Sequence, residues 1–142
     1  MTEKEIRAFG RRLKNWAYSA IGDRLLCTHE CTKGACSWSC GGCIPLAIAL
    51  WHVLEDSELY AVWAYEIPQH VGVTLNGLFI DALGARLPRS VERYWRLELD
   101  QPQVAPVSEK LARETIFNPP KIRDRDIDHL VDILIPILKN LL

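Results

Sequence analysis

Between residues 3 and 21, Ile6, Phe9, Leu13, Trp16, Ala17 and Ala20 recur at helical spacing, while Lys4, Arg7, Arg11 and Lys14 fall mostly on the other side. This pattern predicts an amphipathic helix packed on the body of the protein, ended by Gly22-Asp23. Residues 24–43, "RLLCTHECTKGACSWSCGGC", carry no usable period and read as a cysteine-rich loop with glycine hinges. Polarity then drops. The stretch "IPLAIALWHVLED" is apolar on nearly every side, with Pro45 near its start, where a missing backbone donor costs nothing. It predicts a buried central helix.

After Asp56 the period changes from helical to two. Residues 57–67, "SELYAVWAYEI", are aromatic and β-branched and predict a strand ahead of Pro68. "QHVGVTLNGLFIDALG" alternates on both sides of Asn76-Gly77, a pair that accepts positive φ cheaply and so predicts a two-residue hairpin. Pairing outward sets Leu75 opposite Leu78, Thr74 opposite Phe79, Gly72 opposite Asp81 and His70 opposite Leu83. The expected result is a three-stranded antiparallel meander, with "YWRLELD", residues 94–100, as a fourth strand. "QPQVAPV" reads as a proline-bearing connection. Ser108 can cap a short helix to about residue 117, which "NPP" stops. Residues 123–142 form a C-terminal amphipathic helix with Ile127, Leu130, Val131, Leu134 and Leu138 in one stripe, kinked or broken at Pro136. The expected class is α+β: a central helix with a cysteine at its N-terminus, packed on a small antiparallel sheet and flanked by helices.

Composition narrows the setting. The 142 residues, 49% hydrophobic and 25% charged, suit one domain over residues 1–142 with a single core. Seventeen Lys and Arg against eighteen Asp and Glu leave a net charge of -1, with no global attraction to nucleic acid or anionic membrane. Arg11-Arg12 and "KIRDR" are short mixed runs that read as solvated faces. The N-terminus "MTEKEIRAFGRRLKNW" lacks the apolar core of a secretory signal, and no segment reaches the ~18 apolar residues of a membrane span. A soluble cytoplasmic protein with reduced thiols is expected.

The hairpin raises the question of chemistry. Side chains alternate with period two, so His70, Gly72 and Thr74 share a face with Phe79, Asp81 and Leu83. His70 and Asp81 are diagonal neighbours there, with Cβ atoms roughly 7 Å or less apart, and an imidazole held by a carboxylate is a general base. Cys43 is the best-placed partner. At the start of the central helix, backbone donors and the helix dipole favour a thiolate. Gly41-Gly42 permit close approach of a substrate backbone, free amides around Cys43 offer an oxyanion hole, and Trp38 is a candidate wall of the cleft. Gln69, Asn15 and His29 are the candidate oxyanion side chains.

These residues resemble a known family. "GGCIPLAIAL", then a strand, then "QHVGV", then "GLFIDALGA" is similar to the transglutaminase-like core of the papain-like cysteine enzymes, with Cys, His and Asp in that chain order. The resemblance covers roughly residues 41–85 and departs from the family where Ile44-Pro45 replace the aromatic residue that often follows the nucleophile. It implies a triad of Cys43, His70 and Asp81, no required cofactor, and acyl transfer from a carboxamide or peptide carbonyl. Water as acceptor makes a peptidase or deamidase, and an amine makes a transglutaminase. The implied partner is a protein or peptide substrate.

The other thiols keep rival readings open. Cys27, Cys31, Cys36 and Cys40, spaced C-x3-C-x4-C-x3-C with His29 inside, are enough soft ligands for a structural zinc. Cys40 and Cys43 have C-x2-C spacing, which makes Cys43 a metal ligand or redox partner instead. A noncatalytic protein-binding module with a zinc-held loop, or a degenerate enzyme fold that binds and inhibits a partner, follows from those choices. Trp16, Trp51, Trp63 and Trp95 fit core positions, and the C-terminal stripe fits packing on its own domain.

Overall fold

A computed structural model describes residues 1–28, 37–39, 41–114 and 122–140. Among these residues the chain forms α1 (Glu3–Ala17), α2 (Ala20–Thr28), α3 (Cys43–Val53), β1 (Glu58–Ala64), β2 (Ile67–Leu75), β3 (Leu78–Asp81), β4 (Gly84–Arg86), α4 (Pro88–Trp95), β5 (Gln103–Pro106), α5 (Glu109–Glu114) and α6 (Asp124–Lys139). The class is α+β. The five strands form one antiparallel sheet in the order β4-β3-β2-β1-β5. No described helix is long and apolar enough to cross a membrane.

The apolar patterns account for most of this. Thr2 and Glu5 close a capping box at the start of α1, and Ile6, Phe9 and Leu13 bury its inner face. α3 is buried from Cys43 through Leu50, as expected of a helix apolar all round, and packs on β2 and α6. Ile44, Leu46, Ile48 and Leu50 join Val71, Val73, Ile80, Leu130 and Leu134 in the main core. Each such side chain contributes about 1.5–3 kcal/mol relative to exposure. On the other face of the sheet, α4 covers a smaller cluster of Val62, Phe79 and Val91, with Trp95 and Leu99 against it.

The hairpin follows its turn chemistry. Asn76 and Gly77 take φ of 50° and 77°, and the ladder pairs Leu75 with Leu78, Thr74 with Phe79 and Val73 with Ile80. It does not extend to His70 opposite Leu83. β3 ends at Asp81, which pairs with Gly84 across a second tight turn into β4.

Several expectations need correction. Helix α1 stops at Ala17, where Ser19 Oγ donates to the Trp16 carbonyl at 2.7 Å and accepts the Gly22 N–H at 3.2 Å. Gly22-Asp23 then lies inside α2, and residues 24–28 are helix rather than loop. A Cβ on Gly22 would sit 2.2 Å from the Trp16 carbonyl oxygen, so this glycine serves a close approach and not a break. β1 ends at Ala64, and Tyr65 and Glu66, with φ of 56° and 62°, make the turn to β2.

Residues 94–100 are not a strand. Pro88 opens α4 at its first turn, and Val91, Trp95 and Leu99 face the small cluster at spacings of four, while Leu97 is 83% exposed. "QPQVAPV" contributes a strand, β5, at the edge beside β1, where Pro106 is tolerated because an edge need not donate on its outer side. Finally, of the kink or break expected at Pro136 the break is absent, since α6 runs through it to Lys139.

Candidate active site

Alternation along β2 and β3 puts His70 and Asp81 on one face, and the second turn holds the carboxylate. His70 Nε2 lies 2.8 Å from Asp81 Oδ2. Asp81 Oδ1 accepts the Leu83 N–H at 2.9 Å, and Arg86 Nη2 donates to Oδ1 and Oδ2 at 3.3 and 3.0 Å. His70 and Asp81 are 1% and 2% exposed. The imidazole sits between Phe79 and Trp95, with ring centroids 6.1 and 5.0 Å away. Gly72 makes room for Phe79: a Cβ there would come within 2.5 Å of the Phe79 ring.

With Nε2 committed to Asp81, Nδ1 is the nitrogen left for the thiol. Cys43, the first residue of α3, interacts with the His70 side chain by charge and by a hydrogen bond, and its sulfur accepts from the Val71 backbone. The contact is loose by strict hydrogen-bond geometry, since Nδ1 is buried without a partner that meets it among the described residues.

Burial raises the Cys43 thiol, but the His70 charge and hydrogen bond outweigh it and hold the pKa below the ordinary thiol value. Burial likewise works against protonation of His70, yet the Cys43 charge and the Asp81 hydrogen bond push it up to about 10. Asp81 is lowered despite burial, by its hydrogen bond to His70, the His70 and Arg86 charges and the Leu83 amide. The favoured state is thus thiolate, imidazolium and carboxylate, each stabilised by the next.

The flanking candidates fall out differently. Gly42 caps α3 and is packed shut: a Cβ would lie 2.9 Å from the Ser37 carbonyl oxygen and 3.0 Å from Trp38 and Leu26. Gly41 has φ of 87°, a conformation that favours glycine, and bridges to Ser37. Trp38 is buried, packs on Trp16 in a tilted pair with ring centroids 5.3 Å apart, and donates Nε1–H to the Gly22 carbonyl at 3.1 Å. It walls a closed crevice with Cys43, Leu50, Val71 and Ala82 that has no room for a water molecule. Gln69 points elsewhere. Its Nε2 donates to the Ala64 carbonyl at 3.1 Å and ties down the β1–β2 turn, so it supplies no oxyanion donor in this arrangement.

Cys27 is an exposed free thiol at the end of α2. His29, Cys31, Cys36 and Cys40 lie outside the described residues, and among the described ones no group of His, Cys, Asp and Glu is arranged to hold a metal ion. A wider cleft of about 770 Å³ opens between α4 and β5, lined by Glu92, Arg96, Leu99 and Val104. None of the three chemical side chains reaches it.

Two residues escaped the reading of the sequence. Arg86 anchors Asp81, and its guanidinium lies 5.5 Å from the Tyr94 ring centre. Trp95 covers His70. The signal for Arg86 was the second turn, "DALGAR", which returns a cation beside the carboxylate; for Trp95 it was the four-residue spacing from Val91. No family model, curated protein or solved structure matches this chain.

Proposed function

We propose that this protein is a cysteine-dependent acyl-transfer enzyme with a transglutaminase-like core, acting through Cys43, His70 and Asp81. One observation carries the proposal: the thiol opening α3 is coupled to an imidazole whose other nitrogen is 2.8 Å from a buried carboxylate. In the reaction, the Cys43 thiolate attacks the carbonyl carbon of a peptide or carboxamide and forms a C–S bond. His70 gives its proton to the departing amine as the C–N bond breaks. An incoming water or amine then loses a proton to His70 and displaces the sulfur, yielding an acid or a new amide. Asp81 keeps the imidazole in its tautomer and stabilises its cation. The N–H groups of Cys43 and Ile44, at the start of α3, are the donors this reading assigns to the developing oxyanion.

The thiol is only 3% exposed, so part of its cover must move aside for a substrate to arrive. That same closure supports a second reading, a degenerate enzyme fold that binds and inhibits a partner protein.

The test is the pH dependence of iodoacetamide alkylation at each cysteine, followed by peptide mass spectrometry for wild type and His70→Ala. Burial slows Cys43 in both, so the midpoint is the readout. Wild-type Cys43 is expected to titrate well below the ordinary thiol midpoint of about 8.5. In His70→Ala burial acts without the imidazolium and moves the midpoint above it. An ordinary profile for Cys43 in both proteins would reject the enzyme and favour the inhibitor.

A further inference from the structure

The outer side of α1 borders a groove of about 270 Å³ against the β3–β4 turn, lined by Arg7, Arg11, Lys14, Leu83, Gly84 and Ala85. Three cations and no carboxylate line it. Helical spacing brings residues 7, 11 and 14 together, and Gly10 among them lets the helix backbone rest on β4: a Cβ on Gly10 would lie 2.4 Å from the Ala85 nitrogen. Arg11 and Lys14 are exposed, and with half-buried Arg7 they border the strand backbone at this groove. Arg7 shares its charge with Glu3 at 3.0 Å, whereas Arg11 and Lys14 have no carboxylate partner among the described residues.

The groove lies next to the chemistry. Ala82 lines the closed crevice of Cys43, and Leu83, the following residue, lines the groove. Consecutive Cα atoms are about 3.8 Å apart, and the Leu83 N–H is the donor that holds Asp81. One short turn thus separates the reactive pair from a cationic concavity.

We infer that this groove is a carboxylate-binding subsite, and that the acyl donor for Cys43 carries an acidic side chain beside its reactive amide. The inference rests on the acyl-transfer reading for the link to Cys43, but anion binding itself does not. Arg11 offers the paired donors that fit a carboxylate, and Lys14 adds a point charge.

The test is an NMR titration of the wild-type protein with a blocked Gly-Glu-Gly-Glu-Gly peptide amide, its Gln counterpart and inorganic phosphate. The Glu peptide is expected to shift the Leu83, Gly84 and Gly10 amides, more weakly as salt rises, and the Gln peptide is not. Exposed Arg11→Gln and Lys14→Gln keep good helix formers in place, and each should weaken binding about tenfold. Binding unchanged in both variants, or no shift with the Glu peptide, overturns the inference. Phosphate binding without peptide binding overturns the carboxylate assignment. Glu-peptide binding alongside an ordinary Cys43 alkylation profile supports the groove and removes its link to catalysis.

Discussion

The two faces of the sheet are filled by opposite means. On the α3 face the buried side chains are almost wholly apolar and run from α1 through α3 to α6. On the α4 face only Val62, Phe79 and Val91 form the buried apolar cluster, and beside them lie His70, Asp81 and Arg86. The buried side-chain nitrogens left without a well-formed hydrogen bond among the described residues are His70 Nδ1, Arg86 Nε and Trp95 Nε1, all in this one cluster. An unmet polar atom in a buried setting costs stability, so its retention marks a region organised for something besides packing. One face holds the fold together, and the other holds the charges that act on Cys43, which meets them from the start of α3.

The largest effect that separates them is on the apolar side. Ile48→Ala should lower unfolding free energy by about 2–5 kcal/mol in urea denaturation, because Ile48 is fully buried in α3. The alkylation midpoint of Cys43 should stay put in the folded fraction; a shift would mean that the faces are not independent.

Asp81→Asn acts on the polar side, at about 1–3 kcal/mol, and its signature is in pH. His70 is raised to about 10, so its contribution to stability is complete below its ordinary pKa and is lost as pH rises through about 10. Cys43 is lowered, so its contribution is present above the ordinary thiol value and lost as pH falls through the lowered one. Between the two ordinary values, about 6.5 and 8.5, folding merely moves a proton from sulfur to nitrogen and stability is flat. Above that window it declines, because the unfolded thiol sheds its proton while folded His70 keeps one, until His70 deprotonates near 10. Asp81→Asn removes a charge and a hydrogen bond that favour the imidazolium, so the His70 ring-proton NMR titration should move to lower pH and the decline should end sooner and be shallower. An unmoved His70 titration would show that Asp81 does not hold the charge.

The smallest effect lies away from both faces. Ser19→Ala deletes the side-chain acceptor at the start of α2 and should cost about 1 kcal/mol, read as a shift in denaturation midpoint, with His70 and Cys43 titrations unchanged.

The hairpin and the buried central helix were legible in the sequence because local rules decided them: turn residues that accept positive φ, and a run too apolar to be anything but interior. The shared face of His70 and Asp81 followed from alternation alone. Residues 94–100 were misread because two hydrophobic positions, Trp95 and Leu99, satisfy two periods at once. Trp95, Leu97 and Leu99 alternate, but Val91, Trp95 and Leu99 are also four apart, and Pro88 settles the matter by starting a helix. β5 was hidden by Pro102 just before it and by Pro106 within it, the latter excused by the edge position. Gly22 was read as a breaker because composition cannot distinguish a glycine needed for conformation from one needed for space. Arg86 was missed because its role depends on a turn that brings β4 back beside Asp81.

The separation between His70 and Asp81 along the chain is 11 residues, closed by a single hairpin, while Cys43 meets them only when α3 docks on the sheet. Hairpins form in microseconds, and contacts between distant segments wait on the closure of longer loops. The His70–Asp81 pair is therefore a local product of the chain, and its contact with Cys43 is a late one. A newly made or partly unfolded chain carries an ordinary, uncovered thiol, so a lowered Cys43 pKa is itself a mark of completed tertiary structure.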